Sequence, residues 1–247
     1  MMDKTTNGLL AYYMQNESDE PPVIPTEGLV SYTPLDTWTG ADEQGHAYTY
    51  RTDTGTPVLP VATVYRNVPC CAFPDKAWYT AYVPQAAWAT AYTGTLSFWL
   101  ASDTSFVMWR GASNIVAFGA GNPNAQENYW GAAWLNNGVD FVAGAFRIPA
   151  GTYTTISGDV TRWHHVCMRI SRPNGWEYVT YSADVYIDGM PAGSVAYNCV
   201  NNNLGYIRIG NVRTSGSYRF MIAGVRLYNR TLSPQEIIAL SQEYNPV

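Results

Sequence analysis

The chain is short of charge. Only 13% of its 247 residues are Asp, Glu, Lys or Arg, about half the usual share of a soluble domain. Lysine is almost missing: Lys4 and Lys76 are two of the 14 basic residues, and the formal net charge is -5. With no basic stripe, nucleic-acid binding lacks an electrostatic footprint. No apolar run approaches the ~20 residues that a membrane-crossing helix needs. The first residues, Met1-Met2-Asp3-Lys4-Thr5-Thr6-Asn7, lack the charged-then-apolar pattern of a secretory signal.

Cysteine and histidine are scarce too. Cys70 and Cys71 are adjacent, Cys167 and Cys199 are far from them, and no Cys/His set has zinc spacing. Small buried thiols are the expectation. Three histidines, of which His164 and His165 are neighbours, support no serine-histidine-acid arrangement. Neighbours on a strand point to opposite faces, so these two cannot share a metal. No strand carries alternating carboxylates. Asp184-Val185-Tyr186-Ile187-Asp188 comes nearest, but Asp188 belongs to a turn signal, which leaves Asp184 without a carboxylate partner. Retaining glycosidases need two carboxyl groups about 5 Å apart, so catalysis is disfavoured, and no catalytic residue is assigned.

Aromatic residues dominate what is present: 14% of the chain, with 19 Tyr and 9 Trp. Period-2 alternation recurs in short runs bounded by turn residues. Leu96, Phe98 and Leu100 share a face, as do Val166, Met168 and Ile170, and Val185 and Ile187. Ile115–Phe118 and Tyr206–Ile209 read as strands, and Phe106–Trp109 as another. In Phe220–Leu227 the pattern puts Met221, Ala223, Val225 and Leu227 together. Asp188-Gly189 is a hairpin signal. Trp99, Trp109 and Trp163 fall within strands, as packing residues. One helix stands out, because Ser233-Pro234-Gln235-Glu236 is a capping box with proline in the first turn. This pattern predicts an all-β, two-sheet antiparallel jelly-roll sandwich with one short C-terminal helix.

Residues 1–27 read as an N-terminal arm and linker, acidic and proline-containing at Asn16–Pro22, and 28–247 as the domain. Gly8-Leu9-Leu10-Ala11-Tyr12-Tyr13 echoes Gly28-Leu29-Val30-Ser31-Tyr32. The echo is either coincidence between β-prone stretches or a strand added to this sheet or a neighbour's.

Several ordered pieces resemble the laminin-G-like group of the concanavalin A-like lectin/glucanase superfamily. They are Gly28–Asp36 as an opening strand, Leu96-Ser97-Phe98-Trp99-Leu100, Trp163-His164-His165-Val166, Val185-Tyr186-Ile187-Asp188-Gly189, Ile207-Arg208-Ile209-Gly210, and the closing Ile222–Ser233. The resemblance implies the jelly roll, and it makes the two histidines structural, with His165 expected to bond backbone near a sheet edge. It leaves function open among lectins, adhesion modules, hydrolases and virion components. Members often hold one calcium with loop oxygens and an acid in the closing strand. Ala223-Gly224 stands at that place here, so no metal or cofactor is assigned. Calcium stays open only through the loop oxygens of Asp36, Asp42, Glu43 and Gln44.

Sugar recognition asks for aromatic faces beside amides. Gly121–Trp130 is the richest stretch and reads as a long loop, with Trp134 on the next strand. Arg172–Tyr178 is a second loop. Candidate glycan contacts are therefore Asn128, Tyr129, Trp130, Trp134, Asn174 and Trp176, with core packing the competing role for Trp130 and Trp134. The function expected is a non-catalytic binding or adhesion module for glycan or a glycosylated surface. The alternatives are a structural or appendage protein of a larger particle such as a bacteriophage virion, docked through residues 1–27, and a glycoside hydrolase. The expected place is extracellular or on a virion surface. No nucleic acid or membrane-span partner is expected, and homo-oligomerisation stays open.

Overall fold

The computed structural model describes residues 22–52, 59–73, 77–84, 93–102, 113–120, 129–135, 138–143, 155–156, 161–171, 181–197, 204–210 and 220–244. In chain order the strands are β1 (Leu29–Thr33), β2 (Tyr48–Thr52), β3 (Val61–Tyr65), β4 (Val68–Phe73), β5 (Ala77–Tyr82), β6 (Gly94–Ser102), β7 (Ser113–Ala120) and β8 (Tyr129–Leu135). They continue with β9 (Gly138–Ala143), β10 (Thr155–Ile156), β11 (His164–Ser171), β12 (Tyr181–Ile187), β13 (Met190–Tyr197), β14 (Leu204–Gly210) and β15 (Phe220–Tyr228). Helix α1 (Pro234–Ser241) follows. The first sheet runs β13-β12-β11-β6-β15-β4-β3, with β1 also on β15; the second runs β10-β9-β8-β7-β14-β5-β2. The described pairings are antiparallel.

The two sheets close on one core. Leu96, Phe98, Leu100, Val166, Met168 and Val185 from the first sheet meet Tyr79, Ala81, Val116, Ile207 and Ile209 from the second. Alternation within β6 and β11 selects these residues, as the sequence predicts; the side chain of Ile170 lies outside the described residues, as does Phe106–Trp109. Trp99 and Trp163 are buried on the outer face of the first sheet with Val68, Cys70 and Met221. There the β3–β4 hairpin reaches over: Tyr65 Oη donates to the Ser102 and Thr161 carbonyls, and Trp163 Nε1 donates to the Tyr65 carbonyl. Helix α1 covers a third cluster on the same outer face, with Leu232, Ile237 and Leu240 against Cys167, Tyr186 and Tyr228. Its capping box forms as expected: Ser233 Oγ accepts from the Glu236 amide, and the Glu236 carboxylate accepts from the Ser233 amide.

One expected face does not survive. Met221 and Ala223 lie on the outer face, whereas Val225 and Leu227 lie in the core with Phe220 and Ile222. The cause is a β-bulge. Ala223 pairs with Trp99 and Arg226 with Ser97, so Gly224 and Val225 together oppose one residue, and the alternation shifts by one. Gly224 takes φ +56°, a left-handed value that glycine adopts without a side-chain clash. Its N–H donates to the Pro34 carbonyl at 2.8 Å. The bulge also divides one edge of β15, since β4 pairs with Phe220–Ile222 and β1 with Leu29–Thr33 opposite Val225–Tyr228.

Ahead of β1, Ile24 packs against the α1 cluster, the Pro25 carbonyl accepts from Tyr228 Oη and the Glu27 carbonyl from Arg230 Nε. Cys70, Cys71 and Cys167 are free, buried thiols, as expected. Cys199 lies outside the described residues.

Candidate functional site

Three sequence motifs turn out to be one structural clamp. Asp188 and Gly189 have φ 53° and 78° and turn β12 into β13, as a two-residue hairpin with both centres left-handed. Asp188 Oδ1 accepts from the His165 amide at 2.8 Å, its Oδ2 meets His164 Nδ1 at 2.9 Å, and its own amide donates to the His165 carbonyl. His165 is fully buried and its Nε2 meets Ser97 Oγ at 2.9 Å. The expected backbone bond at a sheet edge is therefore wrong. β11 is an interior strand, and an interior strand's backbone is already paired, so the imidazole turns to a side chain across the sheet. Burial holds its pKa down at about 3. The pair is scaffold, on opposite faces as expected.

Four of the described carboxylates, Asp42, Asp184, Glu236 and Glu243, are likewise engaged. Arg169 holds Asp184 at 2.8 Å, Arg226 grips Glu243 with two bonds, 2.7 and 2.6 Å, and Arg230 holds Glu236. Arg226 also lies over the Tyr32 ring, 4.1 Å from its centroid. Asp42 is buried. Its Oδ1 accepts from the Gln44 and His46 amides, and its Oδ2 from Ser31 Oγ and beside His46 Nδ1. Gln44 Oε1 accepts from the Tyr32 amide. The loop's best oxygens are thus turned inward onto the chain's own donors. A calcium ion takes 6–8 oxygen ligands, and the side-chain oxygens of Asp42 and Gln44 already accept from the chain's own donors. Among the described residues no group of three or more His, Cys, Asp or Glu could hold a metal.

The sequence-selected sugar contacts divide. Asn128, Asn174 and Trp176 lie outside the described residues. Tyr129 and Trp130 are not in a loop: they open β8, the strand that also carries Trp134. The ladder explains this. Trp130 sits across from Phe118 of β7 and Ala143 of β9, and Trp134 across from Ser113 and Val139, so pairing on both sides draws these residues into the sheet.

The same sheet brings together a set that sequence reasoning missed. In β5, Tyr79 and Ala81 face the core, which turns Trp78, Thr80 and Tyr82 outward. In β14, Ile207 and Ile209 face the core, which turns Tyr206 and Arg208 outward. The register sets Arg208 opposite Thr80 and Tyr206 opposite Tyr82. The Arg208 guanidinium lies 5.9 Å from the Trp78 ring centroid, and the Tyr82 and Tyr206 rings are 5.3 Å apart. Trp78, Thr80 and Arg208 are buried, whereas Tyr82 is 51% exposed. Trp78 Nε1 and Thr80 Oγ1 are buried without a hydrogen-bond partner, an unfavourable state for such groups. The strip therefore sets two buried polar atoms without partners beside a buried guanidinium, and grades into a tyrosine pair of which Tyr82 is exposed. Its signal was present in the outward positions of Trp78-x-Thr80-x-Tyr82. It could not be joined to Tyr206-x-Arg208 before the pairing of β5 with β14 was known.

The description of the family model that matches residues 77–238 is Concanavalin A-like lectin/glucanases superfamily. No curated protein matches the sequence. Among solved structures, the binding domain of botulinum neurotoxin DC in complex with SialylT is similar at TM-score 0.60 and 11% identity, over 87% of this chain and 51% of that one. The chain thus spans about half the length of the neurotoxin domain. Domain 4 of AbnA, an extracellular arabinanase from Geobacillus stearothermophilus, in complex with arabinotriose, matches at TM-score 0.60 and 14% identity, over 87% of this chain and 98% of that domain. A Trypanosoma rangeli sialidase matches at TM-score 0.60 and 17% identity, over 98% of this chain and 39% of that one. At these identities the likeness is one of fold.

Proposed function

The chain belongs to the Concanavalin A-like lectin/glucanases superfamily, and from that premise we propose that it is a non-catalytic glycan-binding module. The observation that carries this reading is the outer strip of the second sheet, where Trp78 Nε1 and Thr80 Oγ1 are buried without partners beside Arg208 and the Tyr82–Tyr206 pair. Aromatic faces pack on sugar C–H surfaces, and a few convergent polar groups fix the hydroxyls. Support comes also from two structural neighbours seen with sugar, the neurotoxin domain with SialylT and the arabinanase domain with arabinotriose. Such a module works where glycans are displayed, outside a cell.

Binding without cleavage fits three of the described carboxylates, Asp184, Glu236 and Glu243, which each hold an arginine. A glycan array with the folded chain tests the reading. Bound glycan should be lost about 10-fold in Tyr82→Ala and Tyr206→Ala with the melting temperature unchanged, in keeping with about 1.4 kcal/mol per aromatic contact. Trp176→Ala tests the second loop. A folded chain that binds no glycan would overturn the proposal. Polysaccharide hydrolysis that disappears in Asp184→Ala or Glu127→Ala would overturn the non-catalytic half.

A further inference from the structure

The first sheet ends in an edge whose free groups match those of its own copy. β3 is the outermost described strand beside β4. Arg66 and Asn67, with φ 45° and 65°, form the two-residue turn between them. Such a turn makes the closing pair, Tyr65 with Val68, a hydrogen-bonded one. Alternation along the ladder makes Thr63–Cys70 and Val61–Ala72 hydrogen-bonded too. Pro69, which has no N–H to give, falls opposite Val64 at a non-bonded position. The N–H and C=O groups of Ala62 and Val64 therefore point away from β4, and no other described strand meets them. The side chains around them are apolar and exposed: Leu59 61%, Val61 63%, Val64 66%. Residues 59–65 carry no charge, and β3 runs without a bulge, so neither device blunts this edge.

We propose that two copies of the chain join through β3, antiparallel, about a two-fold axis at Thr63. The strand itself dictates this register. Setting Ala62 of one copy against Val64 of the other, and the reverse, gives every outward N–H and C=O of both residues a partner. Slid one way, Val64 meets Pro60, which has no N–H. Slid the other way, Ala62 meets Arg66, whose left-handed φ already turns it out of the strand. In the central register Thr63 stands opposite Thr63 of the second copy and Val61 opposite Tyr65, both favourable cross-strand pairs. The contact is isologous, so it closes as a dimer. A five-residue strand covers less than the ~800 Å² per partner of a standard interface, which makes the dimer a weak one, dissociating on the order of 100 μM. Ala62 pairs with Cys71 of β4, on the face that Cys71 turns to the core, and Val64 shares that face. Because these two residues meet across the axis, both second sheets lie on the same side of the joined sheet. Two glycan strips then face one surface and bind it at two points. That consequence rests on the function proposed above; the dimer does not.

Sedimentation of the full chain between about 10 μM and 1 mM, with no glycan present, tests the pairing. The parent should pass from monomer to dimer across that range. Ala62→Pro removes an N–H that no ladder bond within the chain uses and should weaken the dimer about 10-fold or more. Thr63→Lys and Thr63→Glu each set like charges opposite one another across the axis, so each alone should stay monomeric, whereas their equimolar mixture should dimerise at least as readily as the parent. An unchanged melting temperature reports that each variant is folded. A parent that is monomeric at the highest concentration overturns the proposal. So does a dimer that Ala62→Pro leaves as tight as the parent's, since another surface would then hold it. A Lys/Glu mixture that stays monomeric overturns it too, because the two copies of residue 63 would not meet.

Discussion

Replacing Gly224 with alanine tests the bulge that organises β15. Two costs are separable. The backbone sits at φ +56°, where a side chain costs about 1–2 kcal/mol. The new Cβ would also stand 3.1 Å from Tyr244 Cε2 and Oη and 3.2 Å from an Arg226 guanidinium nitrogen. That crowding adds about 1–2 kcal/mol, at the low end of overpacking costs because Tyr244 is only partly buried. Relief by flattening the bulge is blocked, because it would exchange the inward and outward residues along half of β15. Gly224→Ala should therefore lose about 3 kcal/mol in urea unfolding followed by tryptophan fluorescence. In a Tyr244→Ala background the loss should fall to the backbone part, about 1–2 kcal/mol, so that a double-mutant cycle shows coupling of about 1 kcal/mol. A Gly224→Ala chain within about 0.5 kcal/mol of the parent would refute the reasoning. A full loss that persists without the Tyr244 ring would refute the steric half.

Three further outcomes follow from buried or paired groups. His165 is held neutral by burial, with its pKa at about 3 against 6.5 when free, so the unfolded chain binds the extra proton and stability should fall as pH drops from 6.5 toward 3. His165→Asn should flatten that part of a stability–pH profile. Glu236 is held down at about 2, against an ordinary value of 4.5, first by its hydrogen bonds from Arg230; its contribution is complete above 4.5 and is lost as pH falls toward 2, and Glu236→Gln should remove that acid limb. Burial raises the thiols of Cys70 and Cys71 to about 11 and about 12 and raises Cys167 further, so none of the three should react with a thiol reagent at pH 8 until urea unfolds the chain.

The sequence by itself determined what is local. Period-2 alternation in β6 and β11, the Asp188-Gly189 turn and the Ser233–Glu236 capping box depend on residues a few positions apart, and each forms as its pattern says. The scarcity of lysine and the lack of zinc spacing needed no fold to be meaningful. Tertiary structure decided what depends on partners. The bulge at Gly224 reversed the inward side of Val225 and Leu227, because a glycine accommodates a register shift that only the neighbouring strand imposes. Pairing with β7 and β9 drew Tyr129 and Trp130 out of an expected loop into β8. The fate of Asp42 was set by donors folded around it from Ser31 and His46. The strip of Trp78, Thr80, Tyr82, Tyr206 and Arg208 joins strands more than 120 residues apart in sequence, a proximity that no local pattern encodes because it arises only when β5 and β14 exchange backbone hydrogen bonds.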